Sequence, residues 1–170
     1  MAEVALISEE LFRENSPVKE DTVITKFVPF ILVAQRLHIA RILGEPLTEE
    51  LQEAIKADDL TPEQSALIRV IAPALSFWAV YQALPFHWAA IVNKGVTLRE
   101  SENSRALGID DVAQVRRWLA DDAQALTRDL EEYLGRCRES FPAWRPPTPC
   151  SCGQQTPHND YDHGIHIPRR

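Results

Sequence analysis

The chain has 170 residues, 25 acidic against 18 basic side chains, a formal net charge of -7 and a pI near 5.2. A balance this acidic excludes a general electrostatic attraction to nucleic acid or to anionic membrane. The amino terminus, with Glu3, Glu9 and Glu10 and no long apolar stretch, reads as neither a signal peptide nor an anchor, so the chain is expected to be cytoplasmic. Three cysteines, Cys137, Cys150 and Cys152, do not make a disulfide framework and fit a reducing compartment.

Residues 8–20 are polar and suggest a short helix or turn followed by a loop. The first long helix is expected from Thr22 to Leu43, with Asp21 as its N-cap and Gly44 where a left-handed C-terminal cap belongs. Ile24, Phe27, Ile31, Leu32, Ile42 and Leu43 keep a helical stripe within it, while Lys26, Arg36 and Arg41 lie mostly to one side. Pro29 either kinks this helix or marks its true first turn. A second, short helix is expected from Thr48 to about Lys56.

The next segment carries the strongest signal. Thr61 is placed as an N-cap, Pro62 at the first helical position and Gln64 to complete a capping box. The residues that follow, Val70 to Val92, are free of charge and mostly apolar, long enough on that count to span a membrane. Pro73 and Pro85 interrupt the run, Ser76, Gln82 and His87 are polar, and only Arg69 and Lys94 bracket it. Hydrocarbon penalises unpaired polar groups, and a spanning helix usually has flanking basic residues. The run therefore reads as a buried core helix to about Leu84, apolar nearly all round because neighbours cover it. Pro85 is then expected to open another helical segment to about Val92, Asn93 to Gly95 a turn, Val96 to Arg99 a short strand, and Glu100 to Gly108 a polar surface loop.

Asp110 or Asp111 caps the last helix, in which Val112, Val115, Leu119, Leu126, Leu130, Tyr133, Leu134 and Cys137 recur at spacings of three, four or seven. Trp118 lies beside that seam. The helix is a rod roughly 40 Å long at about 1.5 Å per residue, and its other face, with Arg116, Arg117, Asp121, Asp122, Arg128, Asp129, Glu131 and Glu132, reads as solvated. After Ser140 come six of the twelve prolines, which suit neither a helix nor a central strand. This end is read as an extended arm with a short strand over residues 161–167. Trp144 in it has no evident intramolecular cover, which makes it a candidate anchor in a partner's pocket.

The pattern implies an all-α fold: a helical domain over residues 1–139, a long last helix, a short β-strand pair near 96–99 and a Pro-rich arm over residues 140–170. No nucleophile elbow, His-Glu-x-x-His motif or phosphate-cradling glycine loop is present, so no enzyme activity, cofactor or catalytic residue is assigned. Cys150, Cys152, His158, His163 and His166 are zinc-type donors, but Cys-x-Cys is tighter than the usual ligand spacing, and no metal site is assigned. His38 and His87, within apolar helices, read as core histidines.

The order of elements has a resemblance. A capped helix carrying Ala34, Gln35, Ile42, Leu43 and Gly44, a short second helix, the apolar helix from Leu67 to Leu84, the turn Asn93-Lys94-Gly95-Val96, the long last helix, and the ending Gly164-Ile165-His166-Ile167 together resemble the head-tail connector (neck adaptor, head-completion) proteins of tailed phages and prophages. That resemblance implies a structural virion protein acting in viral assembly: copies form a homo-oligomeric ring, commonly a dodecamer, between the portal protein and the next neck or tail-completion protein, in the neck of the virion after assembly in the host cytoplasm. DNA passes through the channel without specific binding, and no membrane is involved. Trp144, Tyr161, Gly164, Ile165 and Ile167 are the candidate interaction residues, the arm adding a strand to a neighbour. The segment from Cys150 to His163 departs from the family pattern, and the alternative is a small zinc-stabilised interaction or regulatory module.

Overall fold

The computed structural model describes residues 4–18, 22–92, 95–98 and 108–145. These form six α-helices with shorter helical turns and one two-stranded hairpin. Helix α1 spans Glu9–Asn15, where Ser8 Oγ accepts from Leu11 N at 3.2 Å as the N-cap. A 3₁₀ turn, Ile24–Lys26, leads into α2, Val28–Ala34. Pro29 stands in the first turn of α2, where its missing N–H is an unpaired position anyway. Of the two roles open to Pro29, the structure thus takes the first-turn one, and the helix starts later than the Thr22 expected. Asp21 lies outside the described residues.

From α2 the backbone continues through a π-helical segment, Gln35–Ile39, into α3, Ala40–Leu43. Gln35, at the start of this wide turn, is fully inside. Its Oε1 accepts from Leu6 N at 2.8 Å and its Nε2 donates to the carbonyl of Val4 at 3.0 Å. One amide side chain thereby gives the amino-terminal segment both a donor and an acceptor, as a neighbouring strand would. Leu6, Ile7 and Phe12 are buried behind that clamp.

Gly44, with φ +76°, ends α3 and begins the next helix. A side chain at that φ is strained, which is why glycine stands at the corner. Helix α4, Glu45–Ala57, starts three residues before the Thr48 expected, with Pro46 in its first turn. Thr48 instead donates its hydroxyl back to the carbonyl of Gly44 at 2.8 Å.

Helix α5, Pro62–Trp88, is the centre of the fold and is continuous through both Pro73 and Pro85. Its start has the expected capping box: Thr61 N donates to Gln64 Oε1 at 3.1 Å, and Gln64 N to Thr61 Oγ1 at 3.2 Å. Leu67, Ile71, Ala72, Ala74, Leu75, Ala79 and Ala83 are fully buried. Helices α1, α2 and α6 and the π segment all pack against it. An interior proline costs about 3 kcal/mol, while burying each large apolar side chain returns about 1.5–3 kcal/mol. Packing from several sides therefore carries the helix through prolines that the sequence reading took as a break at Pro85. The helix is long and apolar enough to cross a membrane, yet 61% of its most apolar window is buried inside the fold, as a core helix requires.

The segment expected to stay helical to Val92 instead forms β1, Ala89–Val92, paired antiparallel with β2, Gly95–Leu98, in the register Ala89 to Leu98 and Val92 to Gly95. Ile91, Val92, Val96 and Thr97 are β-branched, a residue type that favours strand pairing over a continued helix. The expected turn at Asn93 and Lys94 lies outside the described residues. Helix α6, Ile109–Arg136, follows, and the described chain closes with a 3₁₀ turn, Arg138–Ser140, and the segment to Arg145.

Candidate functional site

Helix α6 begins at Gly108, whose N–H donates to Asp111 Oδ2 at 3.3 Å. Asp110 and Asp111 in the first turn also favour the positive end of the helix dipole. Val112, Leu119, Ala123, Leu130 and Leu134 are its buried seam. Spacings of four and seven keep them on one face, and α5 covers that face. Trp78 of α5 donates its indole N–H to Thr127 Oγ1 of α6 at 3.0 Å, which fixes the register between the two helices.

A line of rings runs from the π segment across α5 to α6. His38 lies flat on Trp78, with centroids 3.7 Å apart and an interplanar angle of 3°. Trp78 meets Tyr81 edge-on at 5.4 Å. The Arg116 guanidinium covers the Tyr81 ring 4.3 Å from its centroid, a cation–π contact. His38 Nε2 is 3.1 Å from Gln82 Nε2. An amide nitrogen only donates, so the imidazole accepts there and is neutral. Burial, and secondarily the nearby Arg41 cation, hold its pKa below the ordinary 6.5.

A histidine whose pKa is lower folded than unfolded binds more protons in the unfolded chain, so its contribution is full above about pH 6.5 and is lost as pH falls through the lowered folded value. The urea midpoint of the wild-type protein is therefore expected to fall more between pH 7.5 and 5.5 than that of His38→Gln. Equal slopes in the two proteins would rule out His38 as the source.

Beyond the Tyr81–Arg116 contact, the end of α5 and the start of α6 enclose an open groove of about 470 Å³. Pro85, Val112, Ala113 and Ala120 contribute apolar lining, and Arg116 and Arg117 the charge. Arg116 Nε is buried with no hydrogen-bond partner among the described residues.

On the far side of α6, Trp118 is 59% exposed. Asp111, Asp121 and Asp122 stand seven residues before it and three and four after it, all exposed, so carboxylates surround the indole on the same face. Val33 of α2, Leu37 of the π segment and Phe86 of α5 are also exposed, and Phe86 is stacked on Phe30 of α2 at 5.6 Å. Arg36 and Arg41 are exposed as well.

The sequence-assigned interaction residues divide. Trp144 is not an exposed anchor: it is 8% exposed and donates its indole N–H to the carbonyl of Ile42 at 2.9 Å. The cause is Pro142, read in the sequence as a sign of extension but here inside a reverse turn in which Trp144 N donates to the carbonyl of Phe141 at 2.9 Å. Proline favours the second position of such turns. The turn folds Phe141 and Trp144 back onto the core, so the described fold runs past the expected boundary at residue 139. Tyr161, Gly164, Ile165 and Ile167 lie outside the described residues, as do residues 100–107 of the expected surface loop and Cys150, Cys152, His158, His163 and His166. Among the described residues no group of three or more His, Cys, Asp or Glu side chains is placed to hold a metal ion. Sequence reasoning noted Trp118, Arg116 and Arg117 on α6 without assigning them a role. The spacing of Trp118 relative to its aspartates was the available signal.

A family model described as "Family of unknown function (DUF6712)" matches residues 39–154, more than half of the chain. The chain belongs to the DUF6712 family. The match starts in the π segment and takes in α3 to α6, so the α5–α6 pair, the groove and Trp118 all fall within it. No curated protein and no solved structure matches the chain.

Proposed function

We propose that this DUF6712 protein is a non-enzymatic structural adaptor that assembles with copies of itself, as a ring subunit of a tailed-phage neck between the portal and the next neck or tail component. The observation that carries the reading is the pairing, on one subunit, of an exposed tryptophan set among carboxylates with a concave, arginine-lined apolar groove. Large exposed aromatic residues and apolar pockets with charge at the rim are the anatomy of protein interfaces. The order of helices that resembles head-tail connectors supplies the biological setting. An acidic wall suits a channel through which DNA slides, because it repels phosphate.

In this reading the carboxy-terminal residues, with Tyr161, Gly164, Ile165 and Ile167, reach a neighbouring subunit. The packing of Phe141 and Trp144 moves the useful truncation point to the residue after Arg145. A chain ending there is expected to keep the wild-type thermal midpoint and to lose retention on particles carrying the portal protein of the same genome. Undiminished retention would remove the arm from the mechanism. Failure of the full-length protein to bind portal, particle or itself would remove the adaptor reading.

A further inference from the structure

We infer that copies of this chain join head to tail through α6, with Trp118 of one copy seated in the Tyr81–Arg116 groove of the next. This contact rests on the adaptor reading above and names the partner surface within it. Three observations converge on it. Trp118 is 59% exposed, more than Phe86 at 49%, and its indole leaves a large apolar area in water. The groove offers what an indole takes up: apolar walls from Pro85, Val112 and Ala113, and the outer face of an Arg116 guanidinium whose inner face already covers Tyr81. An indole on that outer face would complete a ring–cation–ring sandwich.

Charge sets the orientation. The donor brings Asp121 and Asp122 beside its tryptophan, and the acceptor presents Arg116 and Arg117. Among the described residues Arg116 Nε has no hydrogen-bond partner, so no described carboxylate of its own subunit neutralises this guanidinium through that atom. A basic partner surface of another protein would suit Trp118 alone, and an acidic one the groove alone. A second copy suits both.

The geometry also favours head-to-tail over two-fold pairing. Arg116 and Ala120 lie two residues to either side of Trp118, which is about 160° around the helix at 3.6 residues per turn. Donor and acceptor therefore face opposite ways, and one subunit can use both at once. A heterologous contact of this kind propagates, and closes into a ring where the rotation per subunit allows.

The test mixes two full-length variants and reads mass by sedimentation velocity. Trp118→Ala removes the donor, and Ala113→Trp fills the acceptor from an exposed position. Each alone is expected to keep the wild-type thermal midpoint and to self-associate at least about thirtyfold more weakly, as for the loss of an interface hot spot. An equimolar mixture should form dimers and nothing larger, because a single intact donor–acceptor pair survives between the variants.

Wild-type-like assembly of either variant, or a mixture that stays monomeric, would overturn the contact. Assembly that persists in both variants leaves the adaptor reading intact and places its interface elsewhere. A wild-type protein that stays monomeric at every concentration overturns the contact, and if it also fails to bind portal-bearing particles the adaptor reading falls with it.

Discussion

Replacing Trp144 with alanine is expected to lower the free energy of unfolding by about 3–5 kcal/mol, the range for truncating a buried aromatic side chain. The indole is 8% exposed and belongs to the main core cluster. Its N–H also serves one of the last carbonyls of α3, at Ile42, a position without an intrahelical partner. Trp144→Phe keeps most of the packing and leaves that carbonyl unpaired, so a loss of about 1–3 kcal/mol is expected. Urea denaturation of the three proteins measures both steps. A loss below about 0.5 kcal/mol for Trp144→Ala, the scale of ordinary surface changes, would restore the residue to the surface. The prediction separates two functions that the sequence alone confounds, since a partner anchor would affect binding and leave stability unchanged.

The second large effect concerns Gln35. Gln35→Ala is expected to cost about 2–4 kcal/mol, because Leu6 N–H is left buried without a partner, at about 1–3 kcal/mol, and the half-buried carbonyl of Val4 loses its donor, at about 1 kcal/mol. The damage should be local first. Hydrogen exchange at Leu6 would accelerate more than exchange in α5, since the clamp holds only the amino-terminal segment. Gln35→Glu keeps an acceptor for Leu6 N–H but puts a carboxylate in a fully buried position facing the carbonyl of Val4, so at neutral pH its loss should equal or exceed that of Gln35→Ala. Unchanged protection of Leu6 in Gln35→Ala would show that burial of Ile7 and Phe12 alone holds the segment.

Both residues show where the sequence was legible and where it was not. Thr61, Pro62 and Gln64 announced the start of α5 because capping is local chemistry within four residues. Gly44 announced the corner for the same reason. The buried nature of α5 was also readable, since a run interrupted by proline and polar groups yet apolar on every face has to be covered by protein. Gln35 and Trp144 depend on partners 29 and 102 residues away in the chain, and no local pattern encodes such a contact. The continuity of α5 through Pro85 and the turn at Pro142 went unread for a related reason. Proline restricts its own backbone, while tertiary packing decides whether the result is a break, a tolerated defect or a turn.

The candidate site was legible in composition and not in placement. Trp118, Arg116, Arg117 and the aspartates of α6 were all visible as one face and its borders. That Arg116 turns inward to cover Tyr81 and line a groove follows from the packing of α6 on α5, which the Trp78 to Thr127 hydrogen bond fixes.

We propose that this chain works by assembling with copies of itself, α5 being the buried centre of each subunit. Native mass spectrometry of the full-length wild-type protein over a concentration series, with and without the portal protein proposed as its partner, tests it most directly. The account predicts a ladder of subunit additions that ends at one closed stoichiometry, and a portal complex holding that same number of copies. A single monomer peak at every concentration, with no mass added to the portal, would contradict it.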